Sequence, residues 1–238
     1  MDPARDHSPV RQVLARSAHF RDLPVLTLDH MSHVARVQTL MDGQLLSNHQ
    51  GKQGLWIVLS GAVHVSVASG SGAVTAIAVL GEGSFLGLNS LFGSCISQLR
   101  ECRSVGSTAI AAIAVEALKR MVHHDDAFRE HAVKLVVCRF KGALGALADA
   151  ISAPLSQRLA RRLVGQMLAA GELAKGEHPE LRLTQELIAQ MLGVSRSSVG
   201  EELALLEREG IVERRYRALR ILDVERLRRI AGPGVTPI

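Results

Sequence analysis

Aromatic residues are scarce in this chain, since five Phe, one Tyr and one Trp make up only 3 % of its 238 residues. Apolar residues of all kinds nevertheless reach 47 %. A sizeable core is therefore possible, and it has to be built mainly from Leu, Val, Ile and Ala. At this length we expect one large domain or two modest ones.

Cysteine is also rare. Cys95, Cys102 and Cys138 are irregularly spaced and fit neither a disulfide framework nor a CxxC zinc motif. Buried free thiols are the expected state, and we expect no bound metal. The sequence shows no charged-plus-apolar leader, and no apolar run reaches the roughly 18 residues of a membrane span. These absences predict a soluble cytoplasmic protein without membrane contact.

The motifs of common enzyme classes are missing as well. We find no Ser-His-Asp arrangement, no phosphate-binding GxxxxGK[ST] loop, no HExxH and no paired carboxylates in a plausible cleft. The sequence is therefore interpreted as a non-enzyme. Its net charge of +5 and pI near 9.6 suit an anionic partner, although solvated basic surfaces are common.

The most informative stretch runs from Leu183 to Val212 and predicts two short helices. Thr184 can cap the first helix and Ser195 the second, because a hydroxyl there accepts a free backbone N–H. Gly193 lies between them and tolerates the left-handed backbone of a tight turn. Apolar side chains of the first helix recur at helical spacing: Leu187, Ile188, Met191 and Leu192.

The second helix is predicted to bury Val199, Leu203 and Leu206, which turns its other side outward. This layout is a helix-turn-helix, whose second helix enters the DNA major groove. Arg196 lies in the first turn, where a guanidinium can bind guanine O6 and N7. An ordinary helical hairpin in a core is the alternative. The candidate base-reading residues are Arg196, Ser197, Ser198 and Glu201.

Residues 211–222 predict two short strands joined by a basic turn, which is the wing of a winged helix. Basic and polar side chains at such positions bind phosphates, which position a protein on DNA without reading its sequence. The candidate phosphate contacts are Thr184, Gln185, Ser195, Arg214, Arg215 and Arg217.

The letters LTQELIAQMLGVSRSSV, followed by LLEREGIV, resemble the C-terminal domain of the Crp/Fnr superfamily of bacterial transcription regulators. The resemblance is specific over residues 206–210 and at six earlier positions: Gln185, Ala189, Gly193, Ser195, Arg196 and Val199. It departs at Glu201, where many members have a base-reading Arg, and at the neighbouring Glu202, where most have an apolar residue. The usual target sequence of the family is therefore not expected here.

Between Phe20 and about Ala114, short apolar runs recur between Gly-containing turns. Alternation is clearest at Val63, Val65 and Val67. The pattern predicts an antiparallel β barrel or sandwich. Three segments also resemble the cyclic-nucleotide-binding jelly roll of the same superfamily: residues 20–24, 55–61 and 81–87.

In family members that bind cyclic AMP, a Gly-rich turn holds the phosphate, an Arg neutralises it and a Glu binds the ribose. The corresponding Glu position is Leu88, which cannot accept a hydrogen bond from a sugar. The Arg position falls on Gln98 without gaps, and on Arg100 or Arg103 after insertions. We therefore expect no cyclic nucleotide cofactor, and either another effector or none. Candidate pocket residues are Gly83, Phe85, Leu86, Gly87, Leu88, Asn89, Arg100 and Arg103.

Six apolar residues in the following segment are spaced four, three, four, three and four apart: Val133, Val137, Phe140, Leu144, Leu147 and Ile151. This is the a/d pattern of a helix that pairs with a copy of itself. The alternative is a helix packed on its own barrel, and the resemblance favours the dimer helix. Pro154 suits the first turn of a further helix over 154–170.

The predicted fold is α+β, with an N-terminal antiparallel β jelly roll (double-stranded β-helix), a long dimerisation helix and a C-terminal winged helix-turn-helix. We divide the chain into a loose or weakly helical tail (1–18), a sensor domain (19–122), the dimerisation helix (123–152), the DNA-binding domain (153–231) and a C-terminal tail (232–238).

The leading hypothesis is a homodimeric, sequence-specific DNA-binding regulator. Its expected partners are near-palindromic double-stranded DNA and RNA polymerase. The alternative is a ligand-binding sensor whose C-terminal domain serves protein contacts. Binding to genomic DNA fragments at low salt distinguishes the two hypotheses.

Overall fold

A computed structural model of the chain describes residues 9–46, 53–68, 74–88, 90–91, 100–170 and 178–235. Two helices open this part, α1 (Pro9–Arg16) and α2 (Val25–Val34). Helix α1 buries Val10, Val13 and Leu14 in a core shared with the sheet. Part of the segment predicted as a loose or weakly helical tail is therefore a packed helix, because these three residues share one helical face.

The N-terminal domain is an antiparallel β jelly roll. Its sheet has the order β1-β5-β2-β3, and β4 pairs with β2. Strands β2 and β5 pair along most of their length and form the centre of the domain. The strands are β1 (Arg36–Leu40), β2 (Gln53–Ala68), β3 (Val74–Gly81), β4 (Phe85–Leu86) and β5 (Arg100–Ala114).

Strand β2 is longer than the sequence suggests, because the runs at 55–59 and 63–67 belong to one strand of 16 residues. The glycine between them, Gly61, has φ +79° and lies at register shifts in the pairing with β5. It therefore forms a bulge inside the strand rather than a turn between two strands. A Cβ at Gly61 would lie 2.6 Å from the Ser107 carbonyl oxygen.

The first half of β2 is buried on both faces. Leu55, Ile57 and Leu59 pack in the core that also contains α1 and α2, whereas Trp56 and Val58 pack in the interior of the roll. Successive side chains of a strand point to opposite faces. An unbroken apolar run therefore results where both faces of the strand are covered.

Two helices follow the sheet, α3 (Val115–His124) and α4 (Asp126–Ser152). Asp125 separates them, and its side chain accepts a hydrogen bond from the Phe128 backbone N–H at 2.9 Å. Thr27 of α2 donates a second hydrogen bond to Asp125, with 2.7 Å between the oxygens. The helix predicted to begin at residue 123 therefore begins three residues later, after this cap.

The C-terminal domain surrounds a third core, formed by helices and a small sheet of order β6-β8-β7. The predicted hairpin is confirmed as β7 and β8, and β6 adds a third strand. The domain consists of α5 (Leu155–Ala170), β6 (Glu180–Leu181), α6 (Gln185–Leu192), α7 (Arg196–Arg208), β7 (Val212–Arg215), β8 (Ala218–Ile221) and α8 (Val224–Ala231).

The two domains pack directly on each other. Ala62 of β2 and Val79 of β3 are buried in the same core as the C-terminal helices. Arg162 of α5 also donates a long hydrogen bond, 3.5 Å, to the Ile77 carbonyl oxygen. The face of the roll next to α5 and α6 is thus covered by the C-terminal domain. Among the described residues, no helix combines the length and apolar character needed to cross a membrane.

Candidate nucleic-acid interface

The helix-turn-helix has the caps that its sequence predicts. The Thr184 hydroxyl accepts from the Leu187 backbone N–H at 3.2 Å, and the Ser195 hydroxyl accepts from the Ser198 backbone N–H at 3.0 Å. Gly193 ends α6 with φ +65°. These contacts satisfy backbone donors at the start of both helices and fix the direction in which α7 leaves the turn.

Helix α7 turns its predicted base-reading residues outward. Arg196, Ser197 and Glu201 are exposed and Ser198 is partly exposed, while Val199, Leu203 and Leu206 are buried beneath them. No other described residue forms a hydrogen bond or ion pair with Arg196 or Glu201. The first two turns of α7 therefore present one cationic and one anionic side chain to the solvent.

A serine cluster lies next to Arg196. The Ser195 hydroxyl is 2.7 Å from that of Ser197 and 2.8 Å from that of Ser198. Ser195 is thus already occupied as a helix cap. Gln185 of α6 lies nearby, since its Oε1 is 3.5 Å from the position that a Cβ on Gly200 would take. The structure therefore places Gln185 beside the outward side of α7.

Two of the predicted phosphate contacts are held in ion pairs. Arg214 on the wing donates from its Nε and its backbone N–H to the Glu207 carboxylate, at 2.7 Å and 3.0 Å. These hydrogen bonds hold the pKa of Glu207 below its ordinary value. Arg215 pairs with Glu213 at 3.1 Å. Arg217 lies at the wing tip with φ +56° and is exposed.

Arginine side chains form hydrogen bonds at the ends of α6 and α7 that were not predicted from the sequence. Arg226 of α8 donates to the Glu209 carboxylate at 2.9 Å and to the Glu209 carbonyl at 2.8 Å. Arg158 of α5 donates to the Leu192 carbonyl at the end of α6. The sequence does show two acidic residues, Glu207 and Glu209, in a domain rich in arginine. Which arginine pairs with each of them depends on the tertiary fold.

A groove of about 310 Å³ lies between the two domains. Thr184, the cap of α6, and Arg217 of the wing line it from one side, and Asp42, Gly43 and His64 line it from the other. We call it the interdomain groove. Two of the predicted phosphate contacts thus face a space that the β domain also borders.

The turn predicted to hold an effector is used largely for packing. Phe85, Leu86 and Leu88 are all buried, and Phe85 and Leu88 belong to the core shared with α1 and α2. A Cβ on Gly87 would lie 2.5 Å from the Gly54 carbonyl oxygen. Gly83, with φ +79°, donates a backbone hydrogen bond to the Val58 carbonyl at 2.9 Å.

Of the two cationic candidates for this pocket, the one whose side chain is described, Arg103, is engaged elsewhere. Arg103 is exposed, pairs with Glu101 at 3.3 Å and donates to the Gly43 carbonyl at 3.3 Å. Its neighbour Cys102 points into the roll, so Arg103 points out of it. Asn89 lies outside the described residues, and only the backbone of Arg100, at the start of β5, is described.

The cysteines and histidines are dispersed. Cys102 is buried, as predicted, whereas Cys138 is exposed on α4, which corrects the expectation of a buried thiol. Cys95 lies outside the described residues. Within the described ranges, no three or more His, Cys, Asp or Glu residues are arranged to hold a metal ion.

The a/d residues of α4 are exposed in the single chain, with exposed fractions between 43 % for Val137 and 81 % for Ile151. Phe128 and Ala132, on another side of the same helix, are buried against the β domain. The helix therefore packs on its own roll through one face and leaves a second apolar face uncovered. We call the uncovered face the α4 seam: Val133, Val137, Phe140, Leu144, Leu147 and Ile151.

Both domains match known families. Residues 37–125 match the model of the cyclic nucleotide-binding domain, and residues 157–230 match that of the Crp-like helix-turn-helix domain. The chain is also 27 % identical over 186 residues to the CRP-like cAMP-activated global transcriptional regulator of Mycobacterium tuberculosis, covering 74 % of this chain and 79 % of the relative.

Solved structures show the same fold. FixK2 from Bradyrhizobium japonicum aligns with a TM-score of 0.70 at 17 % identity, covering 84 % of this chain and 99 % of that one. A CRP-family transcriptional regulator from Thermus thermophilus aligns with a TM-score of 0.62 at 19 % identity, covering 84 % and 100 %. With both domain families present in this order, the chain belongs to the Crp/Fnr superfamily of transcriptional regulators.

Proposed function

We propose that the chain is a homodimeric regulator that reads a near-palindromic DNA site through α7. The observation that supports this most is the first turn of α7, where Arg196 is exposed and has no partner among the described residues. Exposed arginine at this position of a helix-turn-helix is suited to bidentate binding of guanine. Ser197, the next residue, and Glu201, in the following turn, are also exposed and supply further groups for base edges.

The dimer is inferred from the α4 seam. Six large apolar side chains lie exposed along one helix at heptad spacing. Two copies of this helix can bury them against each other by knobs-into-holes packing. In a two-fold dimer the two α7 helices lie about 34 Å apart, which is one turn of the duplex.

We further propose that cyclic AMP is not the effector. The Mycobacterium tuberculosis relative is described as cAMP-activated, but Leu88 is buried in the core where a ribose-binding carboxylate would be needed. Arg103 is engaged with Glu101 and Gly43. Titration calorimetry of the full chain with cyclic AMP should show no saturable heat, and sub-micromolar binding would overturn this part of the proposal.

Selection of binding sites from a random duplex library tests the reading role of α7. Arg196→Ala should cost about 1–3 kcal/mol of binding free energy and abolish the preference at one base pair in each half-site. Arg208→Ala is the matched control, because Arg208 is an exposed arginine at the opposite end of the same helix.

The two outcomes of that selection are distinct. Loss of preference at a single position supports base reading by Arg196. Equal weakening on all sequences would assign Arg196 to phosphate contact instead. No binding of any duplex by the unmodified chain at low salt would favour a sensor whose C-terminal domain serves protein contacts.

Analytical ultracentrifugation tests the dimer. Leu144→Glu places a charge in the α4 seam and should convert the dimer to monomers, because a carboxylate is strongly disfavoured in a buried apolar interface. Ala146→Glu introduces the same charge on the exposed opposite side of α4 and should leave the dimer intact. If the unmodified chain is monomeric, or if Leu144→Glu remains dimeric, the α4 seam is not the dimer interface.

A further inference from the structure

Glu201 differs from the other acidic side chains at the exposed side and end of α7. Glu207 and Glu209, at the end of the helix, are held by Arg214 and Arg226. Glu201 forms no hydrogen bond or ion pair with another described residue. Because the chain carries a net charge of +5, a shortage of cations does not explain this difference.

The sequence of α7 explains why Glu201 has no partner on its own helix. Residues three and four positions away are the neighbours of a helical side chain. For Glu201 these are Ser197, Ser198, Ala204 and Leu205. None of the four is a cation, so no helix neighbour can hold the carboxylate in an ion pair. The carboxylate therefore stays available to a ligand outside the chain.

The side chain of Glu201 also points away from the domain core. Each residue of an α-helix turns the side-chain direction by about 100°, so Glu201 lies about 200° from the fully buried Val199. Ser197, one turn earlier on the same side, is exposed as well. Glu202 lies about 100° further round and is only partly exposed. Glu201 is thus on the outward side of α7.

A carboxylate on a DNA-facing surface is unfavourable unless it makes a specific contact, because the duplex carries one negative charge per about 1.7 Å. In the major groove, cytosine presents its N4 amino group as a donor, whereas guanine and thymine present acceptor atoms. Adenine presents the N6 donor next to the N7 acceptor, which repels a carboxylate. Cytosine is therefore the base that suits a carboxylate best.

We propose that Glu201 reads a cytosine in each half-site by accepting a hydrogen bond from the N4 amino group. This inference rests on the proposed DNA-binding function and adds a defined base to the site. Arg196 lies five residues earlier, which is about 7.5 Å along the helix axis. That distance corresponds to about two base-pair steps of about 3.4 Å. The cytosine is therefore about two base pairs from the guanine that Arg196 binds.

Selection from a random duplex library tests this reading. The unmodified chain should select cytosine at one position of each half-site. Glu201→Gln should select adenine there, because an amide side chain can both donate to N7 and accept from N6. Glu201→Ala should lose the preference at this position alone. Glu202→Gln is the matched control, because it removes the same charge from the adjacent residue, and it should still select cytosine.

Fluorescence anisotropy with two fixed duplexes measures the size of the effect. Replacing the selected cytosine by thymine in one half-site should weaken binding of the unmodified chain about tenfold, which is within the usual cost of one mismatched base pair. Glu201→Ala should bind the two duplexes equally. Thermal melting checks that each variant is folded, as the exposed position of Glu201 predicts.

The inference is overturned if the unmodified chain selects no cytosine, or if the cytosine preference persists in Glu201→Ala. It is also overturned if both Glu201 variants gain affinity equally on all duplexes, because the carboxylate then only repels phosphates. In these cases the base preference set by Arg196 persists, and the proposed function stands. If the unmodified chain binds no duplex at all, the proposed function fails together with the inference.

Discussion

At the scale of single residues, the arginines near α7 divide into those that form ion pairs at the end of the helix and those without a partner among the described residues. Arg214 and Arg226 hold Glu207 and Glu209 at the end of α7. Arg196 makes no such contact with another described residue. Phosphate contact by Arg214 has to compete with Glu207, so the wing arginines remain predicted phosphate contacts, with Arg217 the least hindered.

His19 yields a prediction on pH. NMR titration should give it a pKa of about 4, against an ordinary value of 6.5, because burial disfavours the charged ring. Between those two values the unfolded chain binds a proton that the folded chain does not. Stability from this residue is therefore full above pH 6.5 and falls by about 3 kcal/mol as pH drops to 4.

Urea unfolding at several pH values measures that loss. The variant His19→Phe has no proton to bind at this position and should lack this part of the pH dependence. A His19 that titrates near pH 6.5 in the folded protein would contradict the argument.

At the scale of secondary structure, the sequence predicts an element best when the residues that begin and end it are adjacent to it in the chain. Helices α6 and α7 each have a hydroxyl cap, and Gly193 ends the first of them. All of these signals lie within a few residues of the helix that they bound. The wing was predictable for the same reason, because its strands are adjacent in the chain.

Strand β2 could not be predicted as one element, because Gly61 has the same local signal in a turn and in a bulge. Which of the two forms depends on β5, whose residues Ser107 and Thr108 lie against Gly61. The start of α4 has a local cap, Asp125, and only the hydrogen bond that Asp125 accepts from the distant Thr27 is tertiary. Local patterns do not carry this tertiary information.

Replacing Gly61 by Ala should destabilise the fold by about 2–4 kcal/mol. The added Cβ would meet the Ser107 carbonyl and the Thr108 hydroxyl, each at 2.6 Å, in addition to the strain of a positive φ. Gly43→Ala is the control, because Gly43 has φ +72° but nothing within 4 Å of its Cβ position. It should cost only about 1–2 kcal/mol.

Urea denaturation monitored by Trp56 fluorescence measures both variants, since Trp56 lies in the interior of the roll. Equal losses in Gly61→Ala and Gly43→Ala would show that the close approach of β5 contributes nothing.

At the scale of the whole molecule, the packing of the two domains was not predicted. Ala62 and Val79 follow the strand pattern of the roll, and nothing in that pattern identifies the C-terminal core as their partner. The candidate site was partly predictable, because the outward residues of α7 follow from helical periodicity. Its placement beside the interdomain groove depends on contacts between domains.

The domain contact yields a prediction on DNA binding. Thr184 lines the interdomain groove opposite Asp42 and His64, and a phosphate that reaches Thr184 has to enter the space that the β domain also borders. Val79→Ser removes apolar contact from this interface and should raise affinity for a fixed duplex several-fold at low salt. Val37→Ser alters an exposed valine of β1 and should change nothing. Fluorescence anisotropy measures the affinity. If Val79→Ser leaves it unchanged, the packing of the two domains on each other does not compete with DNA binding.

The hydrogen bond between Thr27 and Asp125 couples α2 to the start of α4. Helix α4 has 27 residues, so it forms a lever arm of about 40 Å. A tilt of about 5° at Asp125 displaces its far end by about 3.5 Å, given the rise of about 1.5 Å per residue. A shift of α2 that tilted α4 by this angle would therefore move the far end of α4 by about the spacing between neighbouring base pairs.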